Sequence, residues 1–122
     1  MAHPTFREFS SINRERAAMW HQGGEPWSLA DWSNALAGEV GELANFVKKI
    51  RRLETGTGGR ISEQDRTVLT VSALKEVADV YLYLDLVAEQ LDPQLTMDQI
   101  ISVKFNITSS TFGFPHRLRE VS

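Results

Sequence analysis

The residues of this chain best suited to chemistry are two pairs of acids, each pair three residues apart and set in apolar sequence. Glu39 and Glu42 lie in Gly38-Glu39-Val40-Gly41-Glu42-Leu43, and Glu76 and Asp79 in Glu76-Val77-Ala78-Asp79-Val80. At about 100° per residue, acids three apart on a helix fall within a third of a turn and point the same way. Leu43, Phe46 and Val47 beside the first pair, and Leu74, Val77, Ala78, Val80 and Leu82 around the second, leave little polar face. Like charges held in such surroundings repel each other unless a cation binds them. A single pair would read as a solvated face, and four solvated acids are the plain alternative here. Two pairs on consecutive helices can instead converge across a bundle. Their ligands are all oxygen, with no histidine in either motif, so the expected ion is hard: Mg²⁺ first, Mn²⁺ second. The carboxylate-bridged di-iron bundles use Glu-x-x-His, and Asp79 stands where that histidine would be, which argues against iron.

These pairs need long helices to carry them. Phe6, Phe9, Ile12, Arg16 and Met19 recur at helical spacing, and the spacing predicts a first helix from about Thr5 to Trp20, with Phe6, Phe9 and Ile12 as its apolar seam. His21-Gln22-Gly23-Gly24-Glu25-Pro26 breaks the pattern. Ser28 and Asp31 have capping-box spacing, and a second helix is expected from Leu29 to about Leu53, with Lys48, Lys49, Arg51 and Arg52 in its last turns to complement the helix dipole. Thr55-Gly56-Thr57-Gly58-Gly59 reads as a flexible connector; without the Gly-Lys-Ser/Thr of a P-loop it is chiefly a link, with a lid over phosphates as the alternative. Ser62 and Asp65 give a second capping box before a helix dense in apolar residues from Val68 to Leu91, which Pro93 ends. Thr96 with Gln99 opens a fourth helix on which Ile100, Val103 and Ile107 share a face, and the tail from about Thr111 is expected to be irregular or partly ordered. The chain shows no period-2 strand, internal repeat or domain boundary. The reading is an all-α, four-helix bundle-like domain spanning residues 1–122.

Composition narrows the function. A length of 122 residues suits one domain, and 42% hydrophobic with 24% charged residues suits a soluble globular chain. The formal net charge of -3 offers no basic footprint for a nucleic-acid polymer. Without cysteine there is neither a disulfide framework nor a thiol nucleophile, which is compatible with a reducing cytosol. No run approaches the ~18 apolar residues of a spanning helix and no leader pattern opens the chain, so a cytoplasmic protein with no membrane partner is expected.

Glu-x-x-Glu on one helix followed, after a loop, by Glu-x-x-Asp on the next resembles the signature of the MazG-type all-α nucleoside triphosphate pyrophosphohydrolases, which include the dCTP pyrophosphatases. The match includes Gly38 and Gly41, and the resemblance spans roughly Phe6 to Asn106. Where the family often has another acid before the first glutamate, this chain has Gly38, as in some dCTP-pyrophosphatase-like members. The resemblance implies Mg²⁺-dependent hydrolysis of a nucleoside triphosphate between the α and β phosphates, giving the monophosphate and pyrophosphate. Glu39, Glu42, Glu76 and Asp79 would be the metal ligands, and Glu39 or Glu42 the acid that deprotonates or orients water. It also implies a homodimer or homotetramer.

Flanking residues fit substrate roles, each beside a plainer one. Lys49 falls within about 20° of Glu42 on the helical wheel and could reach a phosphate, or simply complement the dipole. Asp31, Trp32 and Ala35 share the arc of Glu39 and Glu42, so Trp32 could stack on a base; Trp27 is the other candidate, as tryptophans serve in the similar pyrophosphatases, and packing is the alternative for both. Tyr83 continues the stripe of Glu76 and Asp79 and could hydrogen-bond substrate. Lys104 and Asn106 resemble the lysine and asparagine the family places near phosphate and sugar, though their spacing does not put both on one face. His3, His21 and His116 show no ligand spacing, with His21 a candidate for a pocket mouth. The rival to an enzyme is a non-catalytic helical nucleotide-binding or oligomeric interaction module that keeps the acids without turnover.

Overall fold

The structure is a computed structural model, and it describes residues 2–20, 24–56 and 63–120. The described residues form four helices and no strand: α1 Phe6–Met19, α2 Leu29–Thr55, α3 Glu63–Leu91 and α4 Met97–Phe112. The fold is all-α. None of these helices is long and apolar enough to cross a membrane. Two compact units emerge, Ala30–Leu84 on one hand and the residues before and after it on the other.

Ala30–Leu84 is an antiparallel helical hairpin, and three levels of contact fix its register. Trp32 of α2 packs on Tyr83 of α3 with ring centroids 5.8 Å apart. One level on, Glu39 and Glu42 meet Glu76. Farther still, Arg66 pairs with Glu54 at 3.6 Å. As numbers rise along α2 they fall along α3, which is the pairing that a short link between two long helices favours. Trp32 and Ala73 are its buried apolar side chains among the described residues. α3 begins at Glu63, earlier than the apolar density from Val68 alone predicts, and α2 runs two residues past Leu53. The capping box expected at Ser62, the connector from Thr57 to Gly59 and His21 lie outside the described residues.

The other unit brings α1 and α4 together with the last turns of α3. Its centre is polar. Asp85 of α3, 1% exposed, accepts hydrogen bonds from Ser10 Oγ (2.7 Å) and Asn13 Nδ2 (3.0 Å), and Arg14 Nη2 pairs with it at 3.1 Å. Arg14 also donates to the carbonyl oxygens of Leu95 (3.0 Å) and Pro93 (3.4 Å), tying the α3–α4 turn to α1. A buried carboxylate needs this many partners because each unmet lone pair would carry a desolvation penalty.

The apolar periodicity of α1 and α4 locates the helices but not their buried sides. Phe6, Phe9 and Ile12 are exposed, while Ser10, Asn13 and Ala17 are buried; on α4, Val103 and Ile107 are exposed, while Met97, Ser102 and Ser109 are buried. On α1 the polar Ser10 and Asn13 turn inward because both donate to the buried Asp85, whereas on α4 the buried Ser102 donates to the Asp98 carbonyl of its own helix.

Ends follow their caps. Thr5 Oγ1 accepts from the Glu8 amide at 3.1 Å, and the Thr96 amide donates to Gln99 Oε1 at 2.9 Å, the return half of the expected capping box. Gly113, at φ 72°, turns the chain out of α4 while the Phe114 amide reaches back to the Ser109 carbonyl at 2.9 Å. Beyond it, residues 114–120 have no regular secondary structure, as expected. They are held all the same: Asn106 Nδ2 donates to the Leu118 carbonyl and the Leu118 amide donates to Asn106 Oδ1, both at 2.8 Å.

Candidate metal centre

α2 and α3 deliver three carboxylates to one place. Oxygens of Glu39, Glu42 and Glu76 all lie within 4.8 Å of one another, with Glu39 and Glu76 half-buried and Glu42 exposed. The helical spacing puts Glu39 and Glu42 on adjoining turns, and the hairpin register brings Glu76 opposite both. No Cβ would clash at Gly38 or Gly41, so these glycines are not required by crowding within the chain.

The electrostatics are those of a site short of positive charge. The close Glu39 carboxylate, first, and then partial burial and the repulsion of Glu39 and Asp79, push the Glu76 carboxyl above the usual glutamate range; Glu42 pulls the other way. Glu76 Oε2 is buried and has no hydrogen-bond partner. A buried carboxylate oxygen with nothing to accept from, beside two further acids, is suited to a cation of hard, oxygen-preferring character. Among the described residues the donors that meet here are all carboxylate oxygens, a set that suits hard cations as a class.

The fourth acid, Asp79, falls outside the group of three, one turn farther along α3, although it is near enough for its charge to act on Glu76. Lys49 is exposed, with its ammonium 5.3 Å from the centre of the Phe46 ring. Trp32 is 5% exposed and Tyr83 half-buried against it, so this tryptophan is a packing residue with no ring face open to a base. Trp27, Lys104 and Asn106 belong to the other unit. Trp27 and Lys104 are exposed, and the Asn106 amide is engaged with the Leu118 backbone and, at 3.2 Å, with Glu120. His3 is exposed, and the His116 carbonyl accepts from Arg117 at 2.7 Å.

Asp85 is not one of the paired acids, yet the same kind of signal marks it: an acid set between Leu84 and Leu86 in an apolar stretch of α3. Its partners Ser10, Asn13 and Arg14 share one face of α1.

Compared with known protein families, curated proteins and solved structures, the chain matches none.

Proposed function

We propose that the chain is a Mg²⁺-dependent nucleoside triphosphate pyrophosphohydrolase of the MazG type, cleaving the α–β anhydride with water to release the monophosphate and pyrophosphate. In this reading it serves nucleotide-pool housekeeping in the cytoplasm as a homo-oligomer. The observation that supports it is the convergence of Glu39, Glu42 and Glu76 from two helices, with Glu76 Oε2 buried and unpartnered.

Glu39, Glu42 and Glu76 would hold the ion, and Asp79 adds negative charge one turn away. The ion would supply charge neutralisation for the phosphate oxygens as water attacks. Glu42 is the exposed member of the three, so its carboxylate can meet solvent and orient a water molecule. Lys49, held over Phe46 on nearly the same arc as Glu42, can meet a phosphate oxygen that the acids alone would repel.

Pyrophosphate release from common and modified nucleoside triphosphates, with and without Mg²⁺, tests the proposal. Turnover that falls about 10²-fold or more in Glu42→Gln and in Asp79→Asn supports it. Unchanged turnover in both variants removes the metal assignment. Nucleotide binding without pyrophosphate release favours the non-catalytic binding module.

A further inference from the structure

Past α4 the chain turns at Gly113, φ 72°, and runs back along the helix it has just left. Hydrogen bonds fix its course. The Phe114 amide donates to the Ser109 carbonyl at 2.9 Å, Arg117 Nη2 donates to Ser110 Oγ at 3.2 Å, and one turn earlier on α4 Asn106 takes hold of residue 118. There the carboxamide is used from both ends. Its Oδ1 accepts from the Leu118 amide and its Nδ2 donates to the Leu118 carbonyl, each at 2.8 Å, and Nδ2 also donates to Glu120 Oε1 at 3.2 Å. Arg117 Nη1 donates to the carbonyls of Phe114 (2.6 Å) and His116 (2.7 Å), which braces the segment on itself.

This strap is ordered without being buried. Every residue from 114 to 120 is exposed, Phe114 by 55% and Leu118 by 42%. Hydrogen bonds that water can reach contribute little net, and little apolar surface is withdrawn to offset the entropy lost in ordering the segment. A segment held in this way stays because it is tethered beside its site, at an effective concentration of about a millimolar. Recognition runs through the backbone of residue 118, and the Leu118 side chain takes no part in these bonds.

We propose that the edge of α4 formed by Asn106 and Ser110 is a docking site for an extended peptide, and that residues 114–120 are its tethered occupant, which leaves as a unit about Gly113. The partner that fits is a segment with the strap's own chemistry: an arginine, next to it any residue but proline, and an acid two places further on. The carboxamide offers an acceptor and a donor side by side, matching the N–H and C=O of one residue in an extended chain and leaving its side chain unread. Arginine supplies the sequence preference, because its guanidinium joins the peptide's own carbonyls to the Ser110 hydroxyl. Docking involves neither the carboxylate cluster nor a cation, so it stands or falls separately from the catalytic proposal.

Leu118→Pro in the full chain removes the amide from which Asn106 accepts, and so frees the site without altering α4. A fluorescently labelled peptide with the sequence of residues 114–120 is titrated against it and followed by anisotropy. The peptide is expected to bind this variant at least about tenfold more tightly than the wild type, whose own strap competes, and Asn106→Ala added to the variant should abolish binding. Within the peptide, Leu118→Ala should leave affinity unchanged, whereas Leu118→Pro or Arg117→Ala should weaken it about tenfold. Hydrogen exchange on the wild type gives a second readout that does not depend on any variant folding. The amides of residues 114–120 should exchange before those of α4, and excess peptide should speed exchange at Leu118. Equal binding to both chains, binding to neither, or strap amides that open only together with α4 overturn the proposal.

Discussion

The rings of Trp32 and Tyr83 pack at 5.8 Å, tilted by 46°, two helical turns from the level at which Glu39 and Glu42 meet Glu76. This aromatic contact sets how α2 lies on α3, and with it the separation of the acids. Trp32→Ala is expected to destabilise the protein by about 3–5 kcal/mol, as large-to-small changes at buried aromatics do. Urea unfolding followed by circular dichroism measures it. Cation affinity should fall in the same variant even though no ligand is altered, whereas Trp32→Phe should keep most of both.

Divalent cations should stabilise the fold. With Mg²⁺ or Mn²⁺ at about a hundred times its Kd, linkage gives about 2.7 kcal/mol of added stability. The midpoint of thermal unfolding should rise with either ion and stay fixed in Glu39→Gln. A rise of equal size in that variant would place the ion elsewhere.

Without metal, the acids should oppose folding as pH rises. Glu76 holds its proton more tightly in the folded chain than in the unfolded one. Its contribution is therefore fully present below the unfolded pKa and is lost as pH climbs through the higher folded value. Glu76→Gln should remove this loss and raise the metal-free unfolding temperature at neutral pH, while weakening cation binding. A fall in that temperature would mean that the repulsion is already relieved in the wild type.

Asp85 should be among the least replaceable residues for stability. Removing it leaves the largely buried Arg14 without its carboxylate, a change of about 3–5 kcal/mol. Asp85→Ala measured against Arg14→Ala and the double variant gives the coupling, and near-additivity would show that the ion pair is not the unit of stabilisation.

Asp98 titrates in the opposite direction from Glu76. Burial pushes its carboxyl up, but the Thr96 hydroxyl and the Arg7 guanidinium at 3.1 Å outweigh that and hold it below the usual range. The stability it contributes is present above the unfolded value of about 3.9 and is lost as pH falls through the folded one. Asp98→Asn should flatten the acid limb of a plot of unfolding temperature against pH. Arg7 is half-exposed, so added salt should reduce the difference.

Helix positions were legible because periodicity and caps are local: Thr96 and Gln99 announce α4 before any contact is known, and Pro93 announces the end of α3. The acid pairs were legible because two like charges in apolar sequence need an explanation wherever the helices lie. What local patterns cannot carry is which side of a helix is inside. Phe6, Phe9 and Ile12 form the most apolar stripe of α1, yet Ser10 and Asn13 turn inward, since a buried Asp85 seventy-two or more residues away needs their donors. The position of Asp79 outside the carboxylate cluster and the burial of Trp32 likewise depend on register, which only the paired helices set.

That register has an arithmetic. Trp32 and Glu39 are seven residues apart on α2, and so are Glu76 and Tyr83 on α3, so the aromatic contact and the acids are spaced by the same two turns on both strands of the hairpin. The quantity the chain must conserve is therefore a length rather than the identity of what lies between. One residue inserted near Ala37 would leave Trp32 on Tyr83 but swing Glu39 by about 100° away from Glu76. Substitutions at the same place would pass almost unnoticed.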